Sequence, residues 1–413
     1  MAHFIPYIGK LEGCILSEFK KAEFLSAIVY LDSLTVGTLG TVLQQMKAVE
    51  LDWPCRMSRE EWMAVLDRAL AEQDLIKLQV EKIEDLENGH KAALFTDGDH
   101  AYVIFRGTGS DKEWEDNARG MVESDTFHQQ LAAHFVARVC MLFKKITVAG
   151  HSKGGNKAQY AAIVLPSHCV NKAFSFDGQG FSLKFFEKYA KEIEERKQII
   201  TLASERRGFV HALGIPVAAS EYYTGRRGAP TADRPHGDPL PYFHCPDAMR
   251  DADGNLEKST HNLIPDIINR LVVHFLKTST HVESTSMGLV CLVREDCDAE
   301  ESSFAIARIL MVLMELISID KDFRRQVSEM LRVESEVVLA TLDAANGTAG
   351  ELSAINKRVA RHLGGLLARD RTARHHFIDF ARFLGGLKLS RLHRHISEGL
   401  SIVRRGIVAN DRG

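Results

Sequence analysis

The chain has no CxxC pair, no basic segment leading into an apolar run at its start, no internal repeat and almost no net charge. Each absence removes a class of explanation. Its seven cysteines (Cys14, Cys55, Cys140, Cys169, Cys245, Cys291 and Cys297) are scattered singly and odd in number. That spacing fits neither a zinc ribbon nor a disulfide framework, so they read as reduced, mostly buried thiols. The opening MAHFIPYIGKLEGC lacks the basic n-region and the apolar run of about 7 to 15 residues of a secretory signal, so a cytoplasmic protein is expected. A formal net charge of −3 sets up too weak a field to draw the chain to nucleic acid, which is not expected as a partner. Only 10 prolines and 30 glycines, with 45% hydrophobic residues, exclude disordered and collagen-like chains. The longest apolar stretch, 304–319, is interrupted by Arg308 and Glu315. It falls short of the roughly 20 residues of a membrane span and reads as a core or interface helix.

What is present is enough chain for two or three domains among its 413 residues. Residues 1–90 read as a helical lead-in: 24–31 and 42–46 have helical spacing, and Ser58 with Glu61 forms a capping box ahead of Trp62, Val65 and Leu66. From Lys91 the period changes, because AALFT and AYVIF flank Asp97-Gly98-Asp99 as a hairpin. Helical segments at 127–142, 156–164 and 183–196 then alternate with strands at 145–149, 173–176 and 199–202. That alternation predicts an α/β core, 91–298, with a mostly parallel sheet. Residues 216–262, rich in Pro, Gly, Asp and His, read as a functional loop or lid. A helical region, 299–413, follows, with helices expected at 302–318, 323–341, 351–368, 373–384 and 391–404.

The chemistry concentrates at 146–162, ITVAGHSKGGNKAQYAA. An apolar strand runs into Gly150-His151-Ser152-Lys153-Gly154 and then into a helix, the context in which G-x-S-x-G forms a nucleophile elbow. Glycines flank the serine because side chains there would collide with each other and with the sheet. The first N–H groups of the following helix are unpaired, so the Lys153 N–H is a candidate oxyanion donor. A second stretch, 102–120, ends a strand at Phe105 and turns through Arg106-Gly107-Thr108-Gly109-Ser110. Thr108 offers both a backbone N–H and a hydroxyl as the other oxyanion donor.

FRGT-x-S-x-x-x-W followed by GHSKGGN resembles the class 3 lipases. With the following FDG-x-G it resembles, more narrowly, a bacterial family of uncharacterised lipase-like proteins. The resemblance covers about residues 24–275 and leaves the helical C-terminus outside. It implies an α/β-hydrolase fold with no metal or organic cofactor, and hydrolysis of acyl esters, above all lipid esters, through an acyl-enzyme on Ser152. A serine hydroxyl needs a histidine base, itself oriented by a carboxylate, to attack an acyl carbon at neutral pH. In this fold the order is Ser, acid, His.

Asp177, in FSFDGQGF, lies at the end of the next strand and at the same edge of the sheet as Ser152. Class 3 lipases carry the acid after the following strand, where this chain has Glu205 in place of the usual Asp. Both remain candidates, with Asp177 preferred. His236, His244 and His261 lie in the long polar segment. Within the narrower family a His followed two residues later by Pro stands in a segment similar to YFHCPDAM, which favours His244 over His261. His151 reads as a packing residue of the elbow.

Other signals are weaker. Asp251-Ala-Asp253-Gly254-Asn255 has glycine at the wrong place for a calcium loop, and His168-Cys169 and His244-Cys245 lack metal-ligand spacing. The segment 353–413 holds 13 Lys or Arg against 4 Asp or Glu, a basic and apolar mixture suited to an anionic membrane surface or to the acidic body of the same chain. Beside the serine hydrolase stand two alternatives: a non-catalytic relative that binds a lipid or protein partner, and an exported lipolytic effector.

Overall fold

Among the described residues, nine strands lie side by side in chain order across one mixed sheet. They are β1 (Gly37–Thr38), β2 (Gln79–Asp85), β3 (Lys91–Asp97), β4 (His100–Phe105), β5 (Lys145–His151), β6 (Lys172–Phe176), β7 (Ile200–Glu205), β8 (Ser220–Tyr223) and β9 (Lys258–Ser259). Pairing is antiparallel from β1 to β4, parallel from β4 to β8, and antiparallel again between β8 and β9. The computed structural model describes residues 8–49, 53–55, 57–225, 239–293, 299–339 and 351–387, with positions 400, 401, 403–405, 407 and 408.

The central strands are apolar along both faces, as strands covered on both sides must be. On one face the helix Ile8–Ile28 crosses β4, β5 and β6, and Phe19, Leu25, Ile28, Phe174 and Phe176 close into one core. On the other, the helices Phe127–Cys140 and Lys153–Val164 bury Phe135, Val136, Ala158 and Ala162 against Val103, Ile146 and Val148. The fold is therefore α/β, a mixed sheet flanked by helices.

The sheet starts earlier than the sequence suggests. β1 and β2 precede Lys91, and the QVEKIED of β2 hid its nature because one face of this strand meets solvent and carries charges. The helical reading of the first ninety residues holds for Ile8–Ile28, Leu39–Ala48 and Arg59–Ala71, and Ser58 and Glu61 form both bonds of a capping box. The cysteine reading needs a correction as well: Cys140 and Cys169 form a disulfide. Their separation of 29 residues gives no local signature, but the end of the helix Phe127–Cys140 and the turn before β6 meet in space. Asp251 accepts from the N–H groups of Asp253 and Asn255, which closes that segment as a turn.

The described residues of the segment 216–262 contribute β8, the short helix Pro239–His244 and β9. Residues 226–238, with His236, lie outside the described residues. Beyond the sheet come the helices Leu263–Thr278, Val282–Val293, Ala299–Ile319, Lys321–Val333, Glu351–Arg369 and Arg371–Gly386. Ala299–Ile319 is longer than the apolar stretch that announces it. Its portion Glu300–Ile319, of mean hydropathy 1.9, is long and apolar enough by length and composition to cross a membrane. In this fold it is the central helix of the C-terminal bundle, packed against its neighbours on several sides. Most of the helix expected at 391–404 lies outside the described residues.

Candidate active site

β5 delivers the chain to Ser152 at the end of the sheet where the parallel strands finish. Ser152 has φ 59° and ψ −127°, a conformation that L residues rarely adopt and that persists only when the surroundings impose it. Two glycines impose it here. A Cβ on Gly154 would lie 2.0 Å from the Phe105 carbonyl oxygen, and one on Gly150 would lie 2.3 Å from the Gly154 carbonyl carbon. The Ser152 N–H donates to the Phe176 carbonyl, and Ser152 O accepts from Gly155 and Asn156, so the Lys153 N–H stands at the open start of the helix.

The side chains of Ser152, His244 and Asp177 form a continuous chain of hydrogen bonds. His244 Nε2 is 2.9 Å from Ser152 Oγ, and His244 Nδ1 is 2.5 Å from Asp177 Oδ2. An ionised carboxylate can only accept, so Nδ1 carries the ring proton and Nε2 turns its lone pair to the serine hydroxyl. Burial alone pushes the Asp177 carboxyl upward. The charge interaction with His244 and hydrogen bonds from His211 and His244 more than reverse this, holding it well below the usual carboxylate range. His244 remains 22% exposed, while Asp177 is enclosed. Tyr242 and Phe243, just ahead of His244, are buried against Val337 and Ile264, and the Arg207 guanidinium stacks 4.1 Å above the Phe243 ring.

The other candidates lie elsewhere. Glu205, at the end of β7, spends both oxygens on Arg207: Oε1 accepts from the guanidinium and Oε2 from the backbone N–H. Burial raises its pKa despite that partner. His261 is exposed and bonded to Thr260, outside the Ser152 chain. His151 packs its ring against His244, centroids 4.6 Å apart, and shares a 2.9 Å hydrogen bond with the Tyr30 hydroxyl. Burial and the neighbouring His244 lower its pKa to about 3, so it stands there as a neutral ring.

The segment carrying Thr108 is pressed against the elbow: a Cβ on Gly107 would sit 3.0 Å from the His151 carbonyl oxygen. Asn117 Nδ2 donates to Thr108 Oγ1 at 2.9 Å, which occupies an acceptor position and leaves the hydroxyl proton free to donate. The Asn117 backbone carbonyl accepts from Gln179 Nε2. Glu113 fastens this segment to the elbow helix, accepting the Gly109 N–H on Oε2 and the Lys157 ammonium on Oε1, with both charged side chains fully buried. Lys153, 1% exposed, pairs in the same way with Asp116 at 2.6 Å. The Lys153 side chain is thus a strut, and only its backbone N–H faces the elbow's open side.

His211, Asn117, Glu113 and Asp116 were not legible as site residues. Glu113, Asp116 and Asn117 lie on one helix, Asp111–Arg119, whose polar composition reads as a solvated face. The available signal was the pair of lysines at Lys153 and Lys157, i and i+4 on a helix that enters the core and therefore in need of buried acids. The helix supplies Glu113 and Asp116 at i and i+3.

A family model described as Mbeg1-like matches residues 74–205, fewer than half of the chain but including both Thr108 and Ser152. No curated protein matches. A similar solved structure is described as "a model for interfacial activation in lipases from the structure of a fungal lipase-inhibitor complex". It is 20% identical, covers 51% of this chain and 80% of its own, and has a TM-score of 0.33.

Proposed function

We propose that this chain is a serine hydrolase of the α/β-hydrolase fold that cleaves carboxylic esters, with the acyl esters of lipids as its substrate class. The hydrogen-bonded chain Ser152–His244–Asp177, assembled on a strained elbow, is the observation that carries this reading. Ser152 Oγ attacks the acyl carbon while its proton passes to His244 Nε2, and the carbonyl π pair moves onto oxygen. The Thr108 hydroxyl and N–H and the Lys153 N–H receive that oxyanion. Collapse of the tetrahedral intermediate expels the alcohol, which takes the proton from His244. Water repeats the sequence on the acyl-enzyme, releasing the acid and restoring Ser152. Asp177 keeps its charge throughout and stabilises the imidazolium.

Hydrolysis of nitrophenyl esters of short and long acyl chains tests the reading. The wild type turns over. Ser152→Ala and His244→Ala lose at least about 10³-fold in kcat, and Asp177→Asn, which leaves the ring in the wrong tautomer, falls by about 10⁴-fold. Equal rates for wild type and Ser152→Ala would remove the proposal.

A further inference from the structure

Asp177 serves two histidines. Its Oδ2 faces His244, while its Oδ1, 2.7 Å from His211 Nδ1, also accepts the His211 backbone N–H at 3.0 Å. His211 lies on the single 3-10 turn Val210–Ala212 after β7 and is 5% exposed. Its far nitrogen, Nε2, is 3.2 Å from the Tyr222 hydroxyl. Because Oδ1 can only accept, Nδ1 carries the proton and Nε2 accepts from Tyr222. The turn is pinned by the helix Leu263–Thr278, whose Asn269 donates to the carbonyls of Ala212 and Gly214.

We propose that His211 is a positioning residue for the reaction at Ser152, an inference that rests on the hydrolase reading above. Its two donors fix the Asp177 carboxylate so that one oxygen is left for His244. By sharing the carboxylate's charge they also limit how strongly Asp177 stabilises the His244 imidazolium. A carboxylate held by one histidine could turn about its own Cβ–Cγ bond, and the bonds from His211 oppose this at Asp177, which sits at φ 45° just past the end of β6. Holding a catalytic group within a narrow geometry depends on such supporting bonds.

The direction of the effect follows from charge. Replacing the His211 ring by a group that cannot donate concentrates negative charge on Asp177, makes the His244 imidazolium more stable, and moves the acid limb of kcat/KM to higher pH. Tyr222 faces His211 Nε2, and Asp266, on the helix behind it, interacts with both His211 and Arg270. The His151 ring faces His244, and Arg207 is engaged with Glu205.

The test compares pH profiles of kcat/KM on one nitrophenyl ester for wild type, His211→Phe and His211→Asn. Asn offers an amide N–H near the position of Nδ1, and Phe fills the volume without a donor. Phe is expected to lose about 10-fold in kcat/KM and to shift the acid limb upward by several tenths of a pH unit, and Asn to restore most of both. Folded variants with the wild-type profile, or equal losses in Phe and Asn with an unmoved limb, would overturn the inference. A wild type without esterase activity would instead strike the hydrolase reading. A measurement that needs no His211 variant is the proton spectrum of wild type labelled with ¹⁵N-histidine. Two far-downfield ring N–H resonances that both vanish in Asp177→Asn are expected, and a single one would also overturn the inference.

Discussion

At the scale of single residues, the site turns on which hydrogen-bond roles are already taken. Thr108 illustrates this: Asn117 occupies one acceptor position on its oxygen, which leaves the hydroxyl proton to donate elsewhere. Asn117→Ala frees the rotor and allows the hydroxyl to point away from the oxyanion. A direct oxyanion donor is worth about 10² to 10³ in kcat, and in the proposed mechanism Asn117 acts through Thr108, so a loss of about 10-fold in kcat with KM unchanged is expected. Steady-state kinetics on a nitrophenyl ester check it, and a loss confined to KM would contradict the role. Motif and order single out Ser152, Asp177 and His244, which lie in one hydrogen-bonded chain, while His211 stayed hidden. Nothing local marks a histidine as the second partner of a carboxylate 34 positions earlier; only the return of the chain after β7 brings them together.

At the scale of elements, legibility followed periodicity. The strands β4 to β7 and the helical segments at 127–140, 153–164 and 183–196 were visible because buried parallel strands are uniformly apolar and these crossover helices show a stripe. β2 was not, because half of it faces solvent. β8 and β9 were not because they are short, four and two residues, and embedded in a segment dominated by turn formers. The helix Asp111–Arg119 is polar in composition, yet its Glu113 and Asp116 are buried counter-charges for Lys157 and Lys153. Burying such pairs is expensive and seldom increases stability over an apolar core. Their contribution here is registry: they fix the segment bearing Thr108 against the helix that begins at Lys153. Gly109 N–H, accepted by the same Glu113, ties the turn itself into that arrangement.

At the scale of the whole molecule, the C-terminal helices are continuous with the site rather than appended to it. Val337 packs on Tyr242 and Phe243 beside His244, and Glu334 pairs with Arg206 after β7. Composition alone set this region apart as a basic helical extension, because contacts between distant segments leave no trace in local pattern. Titration also acts at this scale. His90 and His151 are buried, and their pKa values are lowered to about 3, by burial first in each case and then by neighbouring cations or His244. Unfolded histidine titrates near pH 6.5. Between about pH 6.5 and 3 the unfolded chain therefore binds more protons than the folded one, and stability is lost as pH falls, by up to about 1.4 kcal/mol per pH unit for each ring. Thermal melting is expected to drop clearly from pH 7.5 to 5.5, before carboxylate protonation contributes. A melting temperature constant over that interval would contradict the burial of these two rings as neutral species.

The proposed function rests on Ser152 being a nucleophile activated by His244. Mass mapping of the protein after reaction with a fluorophosphonate tests this most directly. A single adduct on the peptide containing Ser152 is expected, abolished in Ser152→Ala and strongly slowed in His244→Ala while both variants remain folded. An unlabelled wild type, or labelling that survives in Ser152→Ala, would contradict it.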